Sequence, residues 1–108
     1  MSVNIIQGDD SEFKIQVTAS GACYDLTNVT EATFKIPLEA GGCLDLTLTG
    51  GAIAIPTPAN GELVVTVTDV QSPTLKIGRN NVELILDESG TIKTLQFKNG
   101  VTILERFC

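Results

Sequence analysis

Apolar and polar residues alternate one by one along most of this 108-residue chain. In residues 12–18 the apolar side chains are Phe13, Ile15 and Val17, and polar side chains lie between them. The same period of two recurs in four further runs, residues 31–36, 44–49, 62–68 and 82–86. Successive side chains of a β-strand point to opposite faces, so this period predicts strands that bury one face and expose the other. Helical spacing does not recur.

Turn signals separate these runs about every ten residues. They are Gly41-Gly42, Gly50-Gly51, Asn60-Gly61, Ser89-Gly90 and Asn99-Gly100. Such dipeptides suit the tight turns that join antiparallel neighbours. The segment 69–77, which contains Ser72-Pro73, predicts a crossover with at most one short helical turn. The whole pattern predicts an all-β fold, an immunoglobulin-like antiparallel β-sandwich of seven or eight short strands, in preference to a closed barrel.

The last third of the chain has the sharpest hairpin signal. Two strands, residues 82–87 and 91–97, flank a turn that contains Ser89-Gly90. In the second of these strands Ile92 and Leu95 are out of phase, which predicts a bulge or a change of twist. A final strand is expected over residues 101–107.

The length of the chain allows one hydrophobic core and no second lobe. We therefore expect a single sandwich domain over residues 1–108. A chain of this size buries roughly 60–70% of its unfolded surface on folding, so it needs no covalent staple.

Three cysteines, Cys23, Cys43 and Cys108, lack the paired spacing of a disulfide framework or a zinc site. Their odd number favours a reducing compartment and buried free thiols that pack as small apolar groups. A bridge between Cys23 and Cys43 is the alternative.

Charge excludes several kinds of partner. The chain has 13 acidic and 7 basic side chains, for a formal net charge of −6. An acidic surface repels nucleic acid and anionic membranes, so we expect neither as a partner. No run approaches the roughly 20 apolar residues of a membrane span, and residues 1–8 do not resemble a signal peptide.

The residues offer no chemistry that would support catalysis. Histidine is absent, so no serine has the usual base to activate it, and most lysines fall on the solvated side of predicted strands. The cluster Asp9-Asp10-Ser11-Glu12 lacks the spacing of a calcium loop and predicts a solvated turn after Gly8, with a calcium site as the alternative. We expect no enzymatic activity, no cofactor and no metal ion.

Four apolar residues fall on the side of the chain that should face solvent. They are Val64, Val70, Ile85 and Leu104. Single exposed aliphatic side chains are normal, but a contiguous set predicts a protein contact, with cover by a loop or a second packed layer as the alternative. Open edge strands offer a second route to a partner, because a partner's strand can extend them.

A glycan-binding module is the second functional class to consider. Sugar sites usually use aromatic platforms, and this chain has no tryptophan and one tyrosine. Phe13, Phe34 and Phe97 fit the core. Tyr24 is either a lone stacking residue or a rim tyrosine whose hydroxyl is satisfied at the surface, and the second interpretation is favoured.

The order of short motifs resembles a family of phage proteins. A first strand leads into Ile5-Ile6-Gln7-Gly8-Asp9-Asp10, a second begins near Phe13, and Asp25-Leu26-Thr27-Asn28 introduces a third around Phe34. Further matching segments are Asn60-Gly61-Glu62-Leu63, Thr74-Leu75-Lys76-Ile77-Gly78, Asp87-Glu88-Ser89-Gly90-Thr91 and Gly100-Val101-Thr102-Ile103. Together they are similar to the N-terminal immunoglobulin-like domain of tailed-phage baseplate upper proteins and related small phage virion proteins.

This resemblance implies a non-enzymatic phage structural protein, associated with the tail or baseplate, that acts through protein–protein contacts in virion assembly. It implies other virion proteins as partners, a homo-oligomeric assembly, and a place in the virion after synthesis in the host cytoplasm. The family has no catalytic residues to transfer to this chain. A host-surface glycan-binding or adhesion module is the alternative function.

Overall fold

The computed structural model describes residues 3–19 and 21–104, which form ten β-strands and no α-helix. The strands are β1 (Val3–Ile6), β2 (Ser11–Gln16), β3 (Thr18–Ala19), β4 (Ala22–Cys23), β5 (Glu31–Pro37), β6 (Cys43–Thr47), β7 (Ile53–Ala54), β8 (Glu62–Val67), β9 (Gly78–Glu88) and β10 (Thr91–Leu104). Short 3₁₀ turns occur at Pro58–Asn60 and Ser72–Thr74. The described ranges contain no helix with the length and apolarity to cross a membrane.

Eight of these strands build two sheets. The larger sheet has the order β1-β10-β9-β5-β6, and the smaller has the order β2-β8-β7. This is the arrangement of an immunoglobulin sandwich. In the letters of that fold, β2, β8 and β7 correspond to strands B, E and D, and the facing sheet is built around β10, β9 and β5, which correspond to strands G, F and C. The predicted fold class is confirmed. The hairpin β3-β4 is an addition that the alternation did not predict.

The first strand joins the larger sheet at its far edge. β1 pairs with β10 in parallel, from Val3 opposite Val101 to Ile6 opposite Leu104. All other strand pairs in the two sheets are antiparallel. Because β1 lies beside β10, it does not pair with β2, and β2 is left as an edge of the smaller sheet.

The hairpin between β9 and β10 has the predicted tight turn. Ser89 and Gly90 both have positive φ angles, 53° and 99°, and Thr91 pairs directly with Glu88. Two consecutive residues with positive φ match the twist of the flanking strands.

The turn predicted at Asn99-Gly100 is wrong, because β10 runs straight through this dipeptide. Pairing with β9 shifts register between Phe97 and Val101, so β10 absorbs the extra residues as a bulge. β9 is long enough to offer partners on both sides of the shift. Residues 91–97 pair regularly, and the predicted irregularity therefore lies further along the strand than Ile92 and Leu95. Of the strand predicted over 101–107, residues 105–107 lie outside the described residues, as does Cys108.

The core consists of the inward residues of both sheets. The predicted inward sets are buried, namely Phe13, Ile15 and Val17, then Ala32, Phe34 and Ile36, then Leu63, Val65 and Val67. The rings of Phe13 and Phe34 meet edge to face across the two sheets, with 5.6 Å between centroids. Along β6, Leu46 is buried while Leu44 and Leu48 are half-buried, because β6 is an edge strand.

The crossover from β8 to β9 packs on the turn that follows β1. Ser72, in the predicted single helical turn, is fully buried, and its Oγ accepts a hydrogen bond from the Gly8 amide at 2.8 Å. Asp10 Oδ1 accepts a hydrogen bond from the Asp69 amide at 2.7 Å. The predicted turn after Gly8 is present, and the Asp10 carboxylate holds it to the crossover.

Gly61 lies where β2, β8 and the chain after β4 converge. Its φ is +68°, and its carbonyl accepts a hydrogen bond from the Val17 amide at 2.8 Å. A Cβ on this residue would lie 2.5 Å from the Val17 carbonyl oxygen and 2.6 Å from that of Tyr24. Any side chain larger than hydrogen therefore collides with backbone here.

We expect Gly61→Ala to destabilise the fold more than Gly51→Ala. Gly51 also has a positive φ, +88°, but nothing lies within 4 Å of its Cβ position. Its alanine variant therefore incurs only the conformational cost, about 1–2 kcal/mol. Gly61→Ala adds the collision with two carbonyls, for a total of about 3 kcal/mol or more. Urea unfolding of both variants measures the difference, and equal midpoints would contradict the packing around Gly61.

Candidate interaction surfaces

The four apolar residues predicted to face solvent do not form one patch. Val64 lies on the outer face of the smaller sheet, half-buried between Lys14 and Ala54. Val70 is 79% exposed in the crossover between β8 and β9. The contiguous patch that would include both residues with Ile85 and Leu104 is therefore not formed.

The other two residues belong to the larger sheet. Ile85 lies near the centre of its outer face, half-buried between Thr33 on β5 and Thr94 on β10. Leu104 lies at the end of β10, where it is 42% exposed. Alternation identified which side chains point away from the core, but it did not reveal to which sheet each strand belongs.

Leu104 has an exposed apolar neighbour that the sequence analysis missed. Ile6 of β1 pairs with Leu104 and is also 42% exposed, whereas Ile5 and Ile103 beside them are buried. The signal was present in the sequence, because two consecutive apolar residues in one strand cannot both face the same core.

A polar row crosses the outer face of the larger sheet next to Ile85. Its members, in strand order β6, β5, β9 and β10, are Asp45, Lys35, Glu83 and Gln96. Lys35 Nζ donates to Asp45 Oδ1 at 2.9 Å, and Gln96 Nε2 donates to Glu83 Oε1 at 3.2 Å. The hydrogen bond that Lys35 donates to Asp45 raises the pKa of Lys35 above its ordinary value. The row therefore presents charges of both signs in fixed positions.

A depression of about 320 Å³ lies beside this row on the same face. Its lining includes Lys35, Pro37, Cys43, Asn81, Phe97 and Lys98. The lining combines apolar residues such as Pro37 with charged residues of both signs, Lys35, Lys98 and Glu83. A depression of this size accommodates one or two side chains of a partner polypeptide.

Tyr24, Glu88 and Lys93 form a polar cluster at one end of the sandwich. The Tyr24 hydroxyl donates to the Glu88 carboxylate at 2.6 Å and 2.8 Å, and Lys93 Nζ donates to the same hydroxyl. Lys93 Nζ also pairs with Glu88 Oε2 at 3.1 Å and lies 4.7 Å from the centre of the Tyr24 ring. The hydrogen bond from Tyr24, followed by that from Lys93, lowers the pKa of Glu88.

This cluster accounts for the only tyrosine of the chain. Tyr24 is a half-buried rim residue with a satisfied hydroxyl, as the favoured interpretation proposed. It borders an open polar depression of about 580 Å³ that Asp25, Asn28 and Thr91 also line. Lys93 already occupies one face of the ring, so a sugar would have to stack on the other.

Two of the three cysteines are described, and both are free thiols. Cys23 and Cys43 are exposed, so the prediction of buried thiols is wrong. The physical reason is that Cys23 lies in the short hairpin β3-β4 outside the two sheets, and Cys43 points away from the core on edge strand β6. Within the described ranges, no three His, Cys, Asp or Glu side chains are arranged to hold a metal ion.

Comparison with solved structures shows that a domain of a phage protein has a similar fold. The fold resembles the N-terminal domain of phage TP901-1 ORF48, with a TM-score of 0.62. The match covers 95% of this chain and 84% of the other, at 14% sequence identity. No protein-family model and no curated protein matches the sequence.

We expect Tyr24→Phe to raise the pKa of Glu88 towards its ordinary value, because the variant removes the strongest hydrogen bond to the carboxylate. A carboxyl whose pKa is lowered in the folded state stabilises the fold at neutral pH, and this contribution is lost as the pH falls through the folded pKa. The variant should therefore lose less stability in acid. NMR titration of the glutamate carboxyls measures the shift.

Glu31 is the internal control for this titration. The Thr49 hydroxyl donates to the Glu31 carboxylate and lowers its pKa. Since this pair does not involve Tyr24, the Glu31 titration should be unchanged in the variant. A Glu88 pKa that stays the same in Tyr24→Phe would contradict the assigned hydrogen bond.

Proposed function

We propose that this chain is a phage structural protein, associated with the tail or baseplate, that acts through protein–protein contacts and performs no catalysis. The observation that supports the proposal is the backbone match to a domain of a phage protein over nearly the whole of both chains. The order of sequence motifs supports the same role, because it resembles the corresponding domain of baseplate upper proteins.

The outer face of the larger sheet is the surface best suited to a protein partner. Ile85 supplies an apolar centre, and the row that contains Lys35 and Glu83 supplies charges of both signs. The depression of about 320 Å³ supplies a concave surface that a partner's side chain can enter. Protein interfaces combine these three elements, because apolar contact contributes affinity while fixed charges select the partner and its orientation.

Several charged side chains of this chain are engaged by neighbours within the chain. In this chain the pKa values of Asp25, Glu31 and Glu88 are lowered, and those of Lys35 and Lys93 are raised. Each of these groups is held in its charged form by a neighbour in the same chain.

The proposal is tested with an epitope-tagged copy of the chain expressed from a phage that carries its gene. Quantitative mass spectrometry of purified particles should find the tagged chain as a stoichiometric component. Ile85→Glu should reduce its incorporation about tenfold, because the variant places a charge at the apolar centre of the contact face. The fold should remain intact, since this side chain points away from the core.

Val70→Glu is the matched control. It makes the same kind of change at a residue that is 79% exposed and lies outside the sheet face. Incorporation equal to that of the unmodified chain is expected. Absence of the tagged chain from particles would contradict the proposed function, and normal incorporation of Ile85→Glu would contradict the choice of surface.

A further inference from the structure

Strand β2 is an open edge of the smaller sheet. The sheet has the order β2-β8-β7, and β1, which precedes β2 in sequence, pairs with β10 in the other sheet. β2 keeps a regular register with β8 over all six residues, from Ser11 opposite Val67 to Gln16 opposite Glu62. It contains no proline and no bulge, two of the devices that block strand addition, but it carries the charged side chains of Glu12 and Lys14, which are a third such device unless a partner matches their charges.

Two hydrogen bonds determine which backbone groups of β2 face outwards. The Thr66 amide donates to the Ala52 carbonyl at 2.9 Å, so the even-numbered residues of β8 bond towards β7 and the odd-numbered ones towards β2. The Val17 amide donates to the Gly61 carbonyl at 2.8 Å, which agrees with this phase.

The amides and carbonyls of Glu12, Lys14 and Gln16 therefore point away from β8. Among the described residues, no other strand pairs with them. Their side chains lie on the exposed face of the smaller sheet, and that of Lys14 is 70% exposed. Lys14 makes a loose ion pair with Glu62, 3.6 Å from Nζ to Oε1.

We propose that β2 pairs antiparallel with β2 of a second copy of this chain, in the register that places Glu12 opposite Lys14 of the other copy. The outward residues are hydrogen-bonded pairs in this arrangement, so the possible registers differ by two residues. A register with Lys14 opposite Gln16 forms no charge pair, which leaves three registers that juxtapose charged residues of β2. One places Lys14 opposite Lys14 and another places Glu12 opposite Glu12, and both juxtapose like charges. The proposed register instead forms two identical pairs of opposite charge.

The pairing is symmetric, with the two-fold axis at Phe13. Residue 12 of one copy meets residue 14 of the other, and the reverse pair follows from the symmetry. The two smaller sheets merge into one continuous six-stranded sheet. A strand of unrelated sequence would satisfy the same backbone groups without matching these charges, so the charges select a second copy.

This pairing goes beyond the proposed function, because it is a property of the purified chain outside any virion. Sedimentation equilibrium should show a dimer in the unmodified protein. Glu12→Lys and Lys14→Glu, made singly, should each weaken dimerisation about tenfold by replacing two attractive pairs with two repulsive ones. The double variant Glu12→Lys/Lys14→Glu exchanges the charges and should restore the dimer to within about threefold of the unmodified protein.

Matched controls separate this local effect from net charge. Lys76→Glu makes the same charge change as Lys14→Glu in the exposed crossover between β8 and β9, and Glu39→Lys matches Glu12→Lys in an exposed turn. Both controls should dimerise as the unmodified chain does. Circular dichroism verifies that every variant is folded.

The backbone itself provides an independent readout. Lys14→Pro removes an outward amide that β8 does not use, so the variant should fold and remain monomeric. In the unmodified protein, hydrogen exchange at the Glu12 and Lys14 amides should slow as protein concentration rises.

Four results would overturn the pairing. They are a monomer at concentrations up to about 1 mM, a dimer that the single charge reversals leave unchanged, a double variant that is no stronger than the single ones, and exchange at these amides that does not depend on concentration. None of these results bears on whether the chain is present in phage particles.

Discussion

A single layer of interdigitated apolar side chains between the two sheets holds this molecule together. Phe34 from the larger sheet meets Phe13 from the smaller one, and fully buried leucine, isoleucine and valine side chains surround them. Burial of this apolar surface is the main favourable contribution to folding. Because every second residue of a strand must enter this layer, the residues between them are left to form the outer faces. The surfaces available for contact with other proteins therefore follow from the packing of the core.

The position of β1 determines which edges remain open. By adding to the larger sheet beside β10, β1 extends that sheet to five strands and exposes the neighbouring pair Ile6 and Leu104. The same placement of β1 leaves β2 without a neighbouring strand on one side in the smaller sheet. The buried Ser72 hydroxyl and the Asp10 carboxylate hold the turn between β1 and β2 in this arrangement. The placement of β1 therefore connects the hydrogen bonds that hold the turn between β1 and β2 with the open edge of the smaller sheet.

Several polar groups at the surface of the sandwich are paired within the chain. Lys35 with Asp45 on the sheet face, and Glu88 with Tyr24 and Lys93 at the end of the sandwich, form small networks whose members hold one another charged. Such networks stabilise orientation more than they stabilise the fold, since exposed ion pairs contribute little free energy. Fixed charges of this kind suit recognition between preformed surfaces, which is the kind of contact that the proposed function requires.

The site was harder to predict than the fold. Val64 and Ile85 both show the signature of an outward apolar residue, and both do point outwards, yet they lie on different sheets. Asn99-Gly100 has the chemistry of a turn, but the continuation of β9 makes it a bulge inside a long strand. The outward direction of the two side chains was predicted correctly, whereas the predicted turn was wrong and is an irregularity within β10. In each case the consequence of the local signal depended on a strand far away in the sequence.

The sequence by itself determined most of the strands, the inward face of these strands and most of the turns. These properties depend on the two-residue period of side chains and on residues next to one another, so they can be read locally. The tertiary structure alone decided which strands are neighbours, which edges remain open and which outward residues share a surface. Those outcomes depend on pairing between segments as distant as β1 and β10, and side-chain alternation contains no information about the partner of a strand.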